Sequence, residues 1–86
     1  MTFEIIWTPT AAEHLKYWQE HDLKKVIKIK KLCDNLINSP ENGIGKPERL
    51  KYFGGNLWSR RIDHEHRLVY QIKESKIYII QCRYQY

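Results

Sequence analysis

Cysteines are scarce in this chain, and it lacks the features of a disulfide-rich, secreted or membrane protein. The only two cysteines, Cys33 and Cys82, lie in apolar patterns far apart in the sequence. Two reduced, buried thiols fit a reducing compartment better than a disulfide framework. No apolar run reaches the length of a transmembrane helix, and no basic region precedes an apolar run at the N-terminus. These absences predict a soluble, cytoplasmic protein that does not associate with membranes.

Spacings typical of metal ligands are also scarce. There is no Cys-x-x-Cys pair, and of the four histidines only His64 and His66 lie close together with acidic neighbours, Asp63 and Glu65. These four side chains could in principle chelate a metal ion, but a polar turn explains them better. The sequence therefore predicts neither a metal site nor a cofactor.

Positive charge, in contrast, is present in excess. The 86 residues carry 15 Lys and Arg against 10 Asp and Glu, a formal net charge of +5. Such an excess favours polyanionic partners, because each cation placed near a phosphate releases condensed counterions. The length suits one domain spanning residues 1–86. Composition alone is thus a hint of nucleic-acid binding.

The N-terminal half shows a strand pattern followed by two helical patterns. Residues 3–7 are largely β-branched or aromatic, which predicts a short strand. Thr8 can cap a helix over residues 9–20, and Asp22 can cap a second helix over about residues 23–38.

The C-terminal half begins with a turn-rich stretch at residues 40–57 and continues with three strand patterns. The predicted strands cover residues 58–62, 67–73 and 76–83, and tight turns between them imply an antiparallel meander. The predicted fold is therefore α+β with the order β-α-α-β-β-β. Two helices pack on one face of a mainly antiparallel four-stranded sheet, and the other face meets solvent or a partner.

Alternation along these strands predicts which side chains share a face. At least one cation from each strand, among them Arg61, Arg67 and Arg83, could converge on the solvent-facing side. Alternation also puts Gln81 and Arg83 on the same face as Ile77 and Ile79, and Ser59 on the same face as Arg61. The arginine guanidinium is a planar, permanently charged fork that suits phosphate oxygens.

Aromatic residues are interleaved with these cations. They are Tyr52, Phe53, Trp58, Tyr70, Tyr84 and Tyr86. Exposed bases of single-stranded RNA stack on flat side chains, although core packing explains each of these residues better when it is taken individually. Tyr84 and Tyr86 are the exceptions, since a chain end rarely fills a core. Together with the cations, they predict an RNA-binding surface.

A carboxylate within the turn-rich stretch is a candidate general base. RNA cleavage without a metal needs a base for the ribose 2′-hydroxyl, cations for the developing phosphorane charge, and an acid for the leaving 5′-oxygen. Glu48 follows a proline within a cation-rich stretch at residues 46–51. A solvated surface glutamate is the competing interpretation.

Several stretches of the chain resemble one family of bacterial toxins, the YoeB/Txe family. They are residues 17–19, 45–48, 50–51, 58–62, 65–70 and 82–84. The resemblance covers nearly the whole chain in order and implies a RelE-like, microbial-ribonuclease-like fold. It further implies a ribosome-dependent endoribonuclease that cuts mRNA in the ribosomal A site, in contact with 16S rRNA. A YefM/Phd-type antitoxin would hold it inactive, and a toxin homodimer is possible.

The resemblance also implies roles for individual residues. Glu48 would occupy the position of the general base and Arg67 that of the phosphate-stabilising cation. Lys51 and Arg61 would supply further positive charge, and Tyr86 would match the terminal tyrosine of the family.

The residue before the C-terminal tyrosine departs from the family pattern. The family usually ends in Tyr-His-Tyr, whereas this chain has Gln85 in the histidine position. A glutamine amide can donate and accept hydrogen bonds, but it cannot titrate near neutrality as imidazole does. The sequence therefore leaves open an active toxin, normal or slowed, and a catalytically silent homologue that still binds its antitoxin. A third alternative, a relative acting on DNA gyrase, is disfavoured because Glu48, Lys51 and Arg67 are all present.

Overall fold

The N-terminal part of the chain forms one strand and two helices. The computed structural model describes residues 2–85, with β1 at Glu4–Trp7, α1 at Pro9–His21 and α2 at Leu23–Leu36. The hydroxyl of Thr8 accepts the backbone N–H of Ala11 at 3.3 Å, and Asp22 Oδ1 accepts that of Lys24 at 3.1 Å. Both predicted caps are therefore confirmed.

The sheet has five strands, so the prediction of four was wrong. The remaining elements are β2 (Glu48–Arg49), a 3₁₀ turn (Lys51–Phe53), β3 (Leu57–Arg61), β4 (Arg67–Lys73) and β5 (Lys76–Gln81). The strand order is β1-β5-β4-β3-β2, with β1 parallel to β5 and the other neighbours antiparallel. The extra strand, β2, has only two residues, too few to show an alternating pattern. The predicted α+β class and element order are otherwise confirmed.

Both helices pack against the same face of this sheet. Ala11 and Trp18 of α1 and Leu32 of α2 are buried with apolar residues of β4 and β5 in one continuous core. Within residues 2–85, no helix is long and apolar enough to cross a membrane.

A β-bulge in β5 changes which residues of the last strand face the core. Val69 pairs with Gln81 but the adjacent Tyr70 pairs with Ile79, so Ile80 is an extra residue. Beyond the bulge the alternation is reversed, and Cys82 is fully buried in the same core as Ile79. The prediction that Gln81 and Arg83 share a face with Ile77 and Ile79 was therefore wrong.

The two cysteines are free thiols, as expected for a reduced protein. Burial raises the pKa of Cys82 to about 12 and that of Cys33 to about 11. Both side chains are therefore protonated at neutral pH and lack thiolate reactivity.

An ion pair ties the β3–β4 turn to α2. Lys25 Nζ lies 2.9 Å from a carboxylate oxygen of Asp63, whose other oxygen accepts the backbone N–H groups of Glu65 and His66. Partial burial raises the pKa of Asp63, but the hydrogen bonds from Lys25, His66 and Glu65 outweigh it and lower the pKa to about 2.

This lowered pKa predicts an acid-dependent loss of stability. A carboxyl with a depressed folded-state pKa stabilises the protein above its unfolded-state pKa, and this contribution is lost as the pH falls towards the folded-state pKa. The free energy of unfolding of wild type should therefore exceed that of Asp63→Asn at pH 6, and the difference should shrink between about pH 4 and pH 2. Urea denaturation across this range measures it. A difference that does not vary with pH would contradict the assignment of the ion pair.

Candidate active site

A cleft of about 240 Å³ opens on the face of the sheet opposite the helices. Among the described residues, its lining consists of Lys46, Pro47, Glu48, Ser59, Arg61 and Arg67. Three cations thus surround a single carboxylate. This balance of charge suits an anionic ligand such as a phosphodiester.

Strand register explains how residues distant in sequence meet in this cleft. Glu48 of β2 pairs with Ser59 of β3, and Arg61 of β3 pairs with Arg67 of β4. Paired residues project to the same face, and so do residues two apart along a strand. Glu48 and the buried Ser59 therefore lie side by side across β2 and β3, and Arg61 and Arg67 lie side by side two residues further along β3.

The chain enters the cleft through two residues with left-handed backbone conformations. Gly45 has a φ of 80°, and a Cβ there would lie 2.7 Å from Leu32 Cδ2. Its carbonyl accepts the backbone N–H of Arg61 at 2.7 Å, which extends the sheet contact just before β2. Lys46 has a φ of 51°, a strained conformation for a residue with a side chain that is often found at functional sites.

The β3–β4 turn holds one side of the Arg67 guanidinium group. Nη1 donates to the carbonyl oxygens of Asp63 and His66, at 2.7 and 3.1 Å. Within residues 2–85, Nε and Nη2 make no hydrogen bond. The two bonds of Nη1 fix the orientation of the guanidinium group, and Arg67 lines the cleft in that orientation.

The C-terminal segment runs beside Arg67. The backbone N–H of Arg67 donates to the carbonyl oxygen of Tyr84 at 3.0 Å, and the side-chain amide of Gln85 lies 3.5 Å from the carbonyl oxygen of His64. Gln85 is exposed next to the β3–β4 turn. The predicted terminal site residue, Tyr86, lies outside the described residues.

Two predicted phosphate-binding cations do not line the cleft. The guanidinium of Arg83 lies 3.5 Å from the ring centroid of Tyr17 on α1. Lys51 lines a separate groove of about 370 Å³, which adjoins the cleft at Glu48 and includes the fully exposed Tyr52. Of the cations predicted for the site, Arg61 and Arg67 are thus brought together.

The interleaved aromatic residues divide between core and surface. Tyr70 is fully buried and Trp58 packs against the core, whereas Tyr52, Phe53 and Tyr84 are exposed. Those three remain candidates for contact with bases. Among residues 2–85, no three His, Cys, Asp or Glu side chains form a group that could hold a metal ion.

Sequence reasoning did not assign a role to Arg60, which positions the chain ahead of the cleft. Arg60 is fully buried on the helix side of the sheet, and its donors meet five acceptors. These are the Tyr70 hydroxyl, Asn35 Oδ1 and the carbonyl oxygens of Ser39, Asn42 and Ile44, at 2.6–3.2 Å. Three of the acceptors lie in the loop that leads to Lys46. The signal in the sequence was that Arg60 is a charged residue at a position where alternation predicts the apolar face of the strand.

Ser59 and Lys46 were also absent from the predicted site. Ser59 was predicted to share a face with Arg61, but nothing in the sequence showed that β2 pairs beside it. Lys46 was noted only as a neighbouring cation, because its left-handed turn cannot be deduced from its residue type.

Comparison with known proteins places these features in one family. A family model described as the YoeB-like toxin of bacterial type II toxin–antitoxin systems matches residues 7–86. The toxin YoeB of Escherichia coli K12 is 42% identical over 83 residues, covering 96% of this chain and 99% of that protein. A YoeB dimer from Staphylococcus aureus superposes with a TM-score of 0.90 at 42% identity, and both chains are fully covered. A heterotetrameric YoeB–YefM complex from the same organism gives 0.86 at 43% identity, again with full coverage of both chains.

Proposed function

This chain belongs to the YoeB-like toxins of bacterial type II toxin–antitoxin systems, and from this premise we propose that it is an endoribonuclease that cleaves mRNA on the ribosome. The observation that carries the proposal is the cleft in which Glu48, Arg61 and Arg67 meet. A carboxylate facing two arginines supplies a proton acceptor and a phosphate cradle in one place.

The proposed reaction is the attack of a ribose 2′-hydroxyl on its own 3′-phosphate. Glu48 accepts the proton of the 2′-hydroxyl as its oxygen bonds to phosphorus. Arg61 and Arg67 stabilise the charge that builds up on the non-bridging oxygens. The bond to the 5′-oxygen of the next nucleotide then breaks, and that oxygen takes up a proton from water. The products are a 2′,3′-cyclic phosphate and a 5′-hydroxyl end.

Gln85 would take part in this reaction only through hydrogen bonds. Its amide can orient a phosphate or the leaving oxygen, but it cannot lose a proton near neutral pH. Cleavage by this chain should therefore be slower than it would be with imidazole at the same position.

The partners proposed for this chain follow from its relatives and its charge. The Staphylococcus aureus relative forms a dimer, and it also forms a heterotetramer with YefM. We propose a YefM-type antitoxin and a second copy of this chain as partners in the cytoplasm. The ribosome, its mRNA and its 16S rRNA present the phosphates that a net charge of +5 favours.

The test is cleavage of a defined mRNA in a reconstituted translation reaction, mapped by primer extension. Wild type should cut within the codon exposed in the A site when ribosomes are present, and adding the antitoxin should stop it. The alternative is a catalytically silent homologue, for which Gln85 is the favouring observation. Antitoxin binding without any cleavage would establish that alternative.

Replacing Arg67 tests the phosphate cradle. Arg67→Ala should lower the cleavage rate about 10²–10³-fold, since the loss of one well-placed donor to a charged transition state costs that much. Two hydrogen bonds to backbone carbonyls are lost as well, so the free energy of unfolding should fall by about 1 kcal/mol. Arg49→Ala, at an exposed position of β2, is the matched control and should leave the cleavage rate near that of wild type. Equal rates for the two variants would count against the assignment.

Replacing Gln85 tests proton transfer at the tail. Gln85→His should raise the cleavage rate by roughly 10-fold or more, because it supplies a group that titrates near neutral pH. The gain should also introduce a pH dependence in the range of an imidazole pKa. A rate that does not change would show that residue 85 transfers no proton in this protein.

A further inference from the structure

The C-terminal segment that follows β5 is held mainly by side chains, together with one backbone hydrogen bond from Arg67 of β4 to Tyr84. Trp18 Nε1 donates to the carbonyl oxygen of Cys82 at 2.8 Å, and His14 Nδ1 accepts the backbone N–H of Cys82 at 3.2 Å. Gln81 Nε2 lies 2.8 Å from the carbonyl oxygen of Arg83. Side-chain groups thus supply most of the hydrogen bonds that the backbone of this segment makes.

Tyr84, like Cys82, makes hydrogen bonds with both of its backbone groups. Its N–H donates to His66 Nδ1 at 2.8 Å, and its carbonyl oxygen accepts the N–H of Arg67 at 3.0 Å. His66 of the β3–β4 turn and Arg67, the first residue of β4, therefore hold both backbone groups of Tyr84. The φ of Tyr84 is 67°, a left-handed conformation that is costly for tyrosine and that these contacts must maintain.

The imidazole of His66 is itself held in place, which makes it a defined anchor. Its ring meets the indole of Trp18 edge to face, with centroids 4.8 Å apart. Its backbone N–H donates to Asp63 Oδ1 at 2.7 Å. Nδ1 accepts a hydrogen bond from the backbone N–H of Tyr84, so the neutral ring must carry its own proton on Nε2. The ring thus presents a lone pair in a fixed direction.

The anchor connects directly to the proposed active site. Arg67 lines the cleft, and the same residue bonds to the Tyr84 carbonyl through its backbone. Gln85 follows immediately, with its side chain near the β3–β4 turn. If the grip on Tyr84 were lost, the left-handed backbone would relax and Gln85 would move relative to Arg67. Misplacement of a catalytic group by about 1 Å can cost on the order of 10²-fold in rate.

We propose that His66 is a positioning residue of this site: its Nδ1 lone pair holds the N–H of Tyr84 and thereby sets Tyr84 and Gln85 beside Arg67. This role rests on the proposed endoribonuclease function. His66 acts through the tail and need not touch the RNA. Acceptance of a hydrogen bond is what matters, so another acceptor at the δ position should substitute for the ring.

Two variants of the full-length chain separate the shape of His66 from its hydrogen bond. His66→Phe keeps a flat ring against Trp18 but has no acceptor. His66→Asn loses the ring but places Oδ1 at the position of Nδ1. His64→Ala is the matched control, since it removes an exposed histidine of the same turn whose side chain lies beside Glu65.

The readouts are the hydrogen-exchange rate of the Tyr84 amide by NMR and the rate of mRNA cleavage on the ribosome. In His66→Phe, exchange at Tyr84 should speed up and cleavage should fall, each by about 10-fold or more. His66→Asn should restore both towards wild type, and His64→Ala should change neither.

Other outcomes overturn the proposal in distinguishable ways. Normal cleavage by His66→Phe with a rapidly exchanging amide would show that the anchor does not serve the reaction. An equal loss of cleavage in His66→Asn and His66→Phe would show that an acceptor at the δ position does not replace the imidazole, which contradicts the proposed role of the hydrogen bond. A wild type that fails to cleave would overturn the proposed function and the positioning role with it, and protection of the Tyr84 amide would then report a structural anchor alone.

Discussion

Glu48→Gln is expected to lower the rate of mRNA cleavage about 10²–10⁴-fold while leaving ribosome binding intact. General-base catalysis typically contributes that factor, and an amide cannot accept the proton of the 2′-hydroxyl. The side chain keeps its size at an exposed position, so the fold should not change. The measurement is single-turnover cleavage of mRNA on programmed ribosomes, with primer extension to quantify product.

Ribosome affinity distinguishes the loss of the general base from a disturbance of the cleft. Among the described residues that line the cleft, the substitution removes the only carboxylate beside three cations, so attraction for phosphate should stay the same or increase. A falling rate with equal or tighter binding is therefore the signature of a proton acceptor. Glu74→Gln makes the same change of charge in the β4–β5 turn and should leave the rate unchanged. Equal rates in Glu48→Gln and wild type would remove Glu48 from the mechanism.

Local patterns in the sequence predicted those parts of the site that depend on local rules. Alternation placed Ser59 and Arg61 on one face, and the structure agrees, because β3 is regular and pairs along its whole length with β4. Helix caps at Thr8 and Asp22 were predictable for the same reason, since a cap depends on a few adjacent residues. These features define the scaffold under the cleft.

The features that complete the site depend on contacts between distant residues. Glu48 reaches the cleft because β2 pairs with β3, yet β2 has only two residues and offers no periodic pattern. The bulge at Ile80 reverses the alternation before Cys82, and Arg83, which lies beyond the end of β5, contacts Tyr17 outside the cleft. A bulge is set by packing on both sides of a strand, which no local pattern records.

The resemblance to YoeB toxins added what these patterns could not supply. It assigned Glu48 and Arg67 to one site before any contact between β2, β3 and β4 was known. It gave no role to His66 or Arg60, whose functions depend on the backbone groups they meet in space. His66 was interpreted as part of a polar turn, and the structure shows that this turn also carries the anchor of Tyr84.

Arg60→Met is expected to lower the free energy of unfolding by about 3–5 kcal/mol, although methionine has a similar shape. Arg60 is fully buried and no carboxylate pairs with it within residues 2–85, so its charge is stabilised by neutral acceptors alone. Methionine would leave several of those acceptors without a donor, at a cost of roughly 1–3 kcal/mol for each one that water cannot reach. Replacing a buried charge by an apolar side chain can be neutral where the partners are replaced too, but here the carbonyl groups of Ser39, Asn42 and Ile44 remain.

Urea denaturation at an unchanged m-value measures the loss, and Arg49→Met in the exposed strand β2 should stay within about 0.5 kcal/mol of wild type. A loss below about 1 kcal/mol in Arg60→Met would mean that the loop before Lys46 is held by other contacts, because each orphaned acceptor alone should cost about that much.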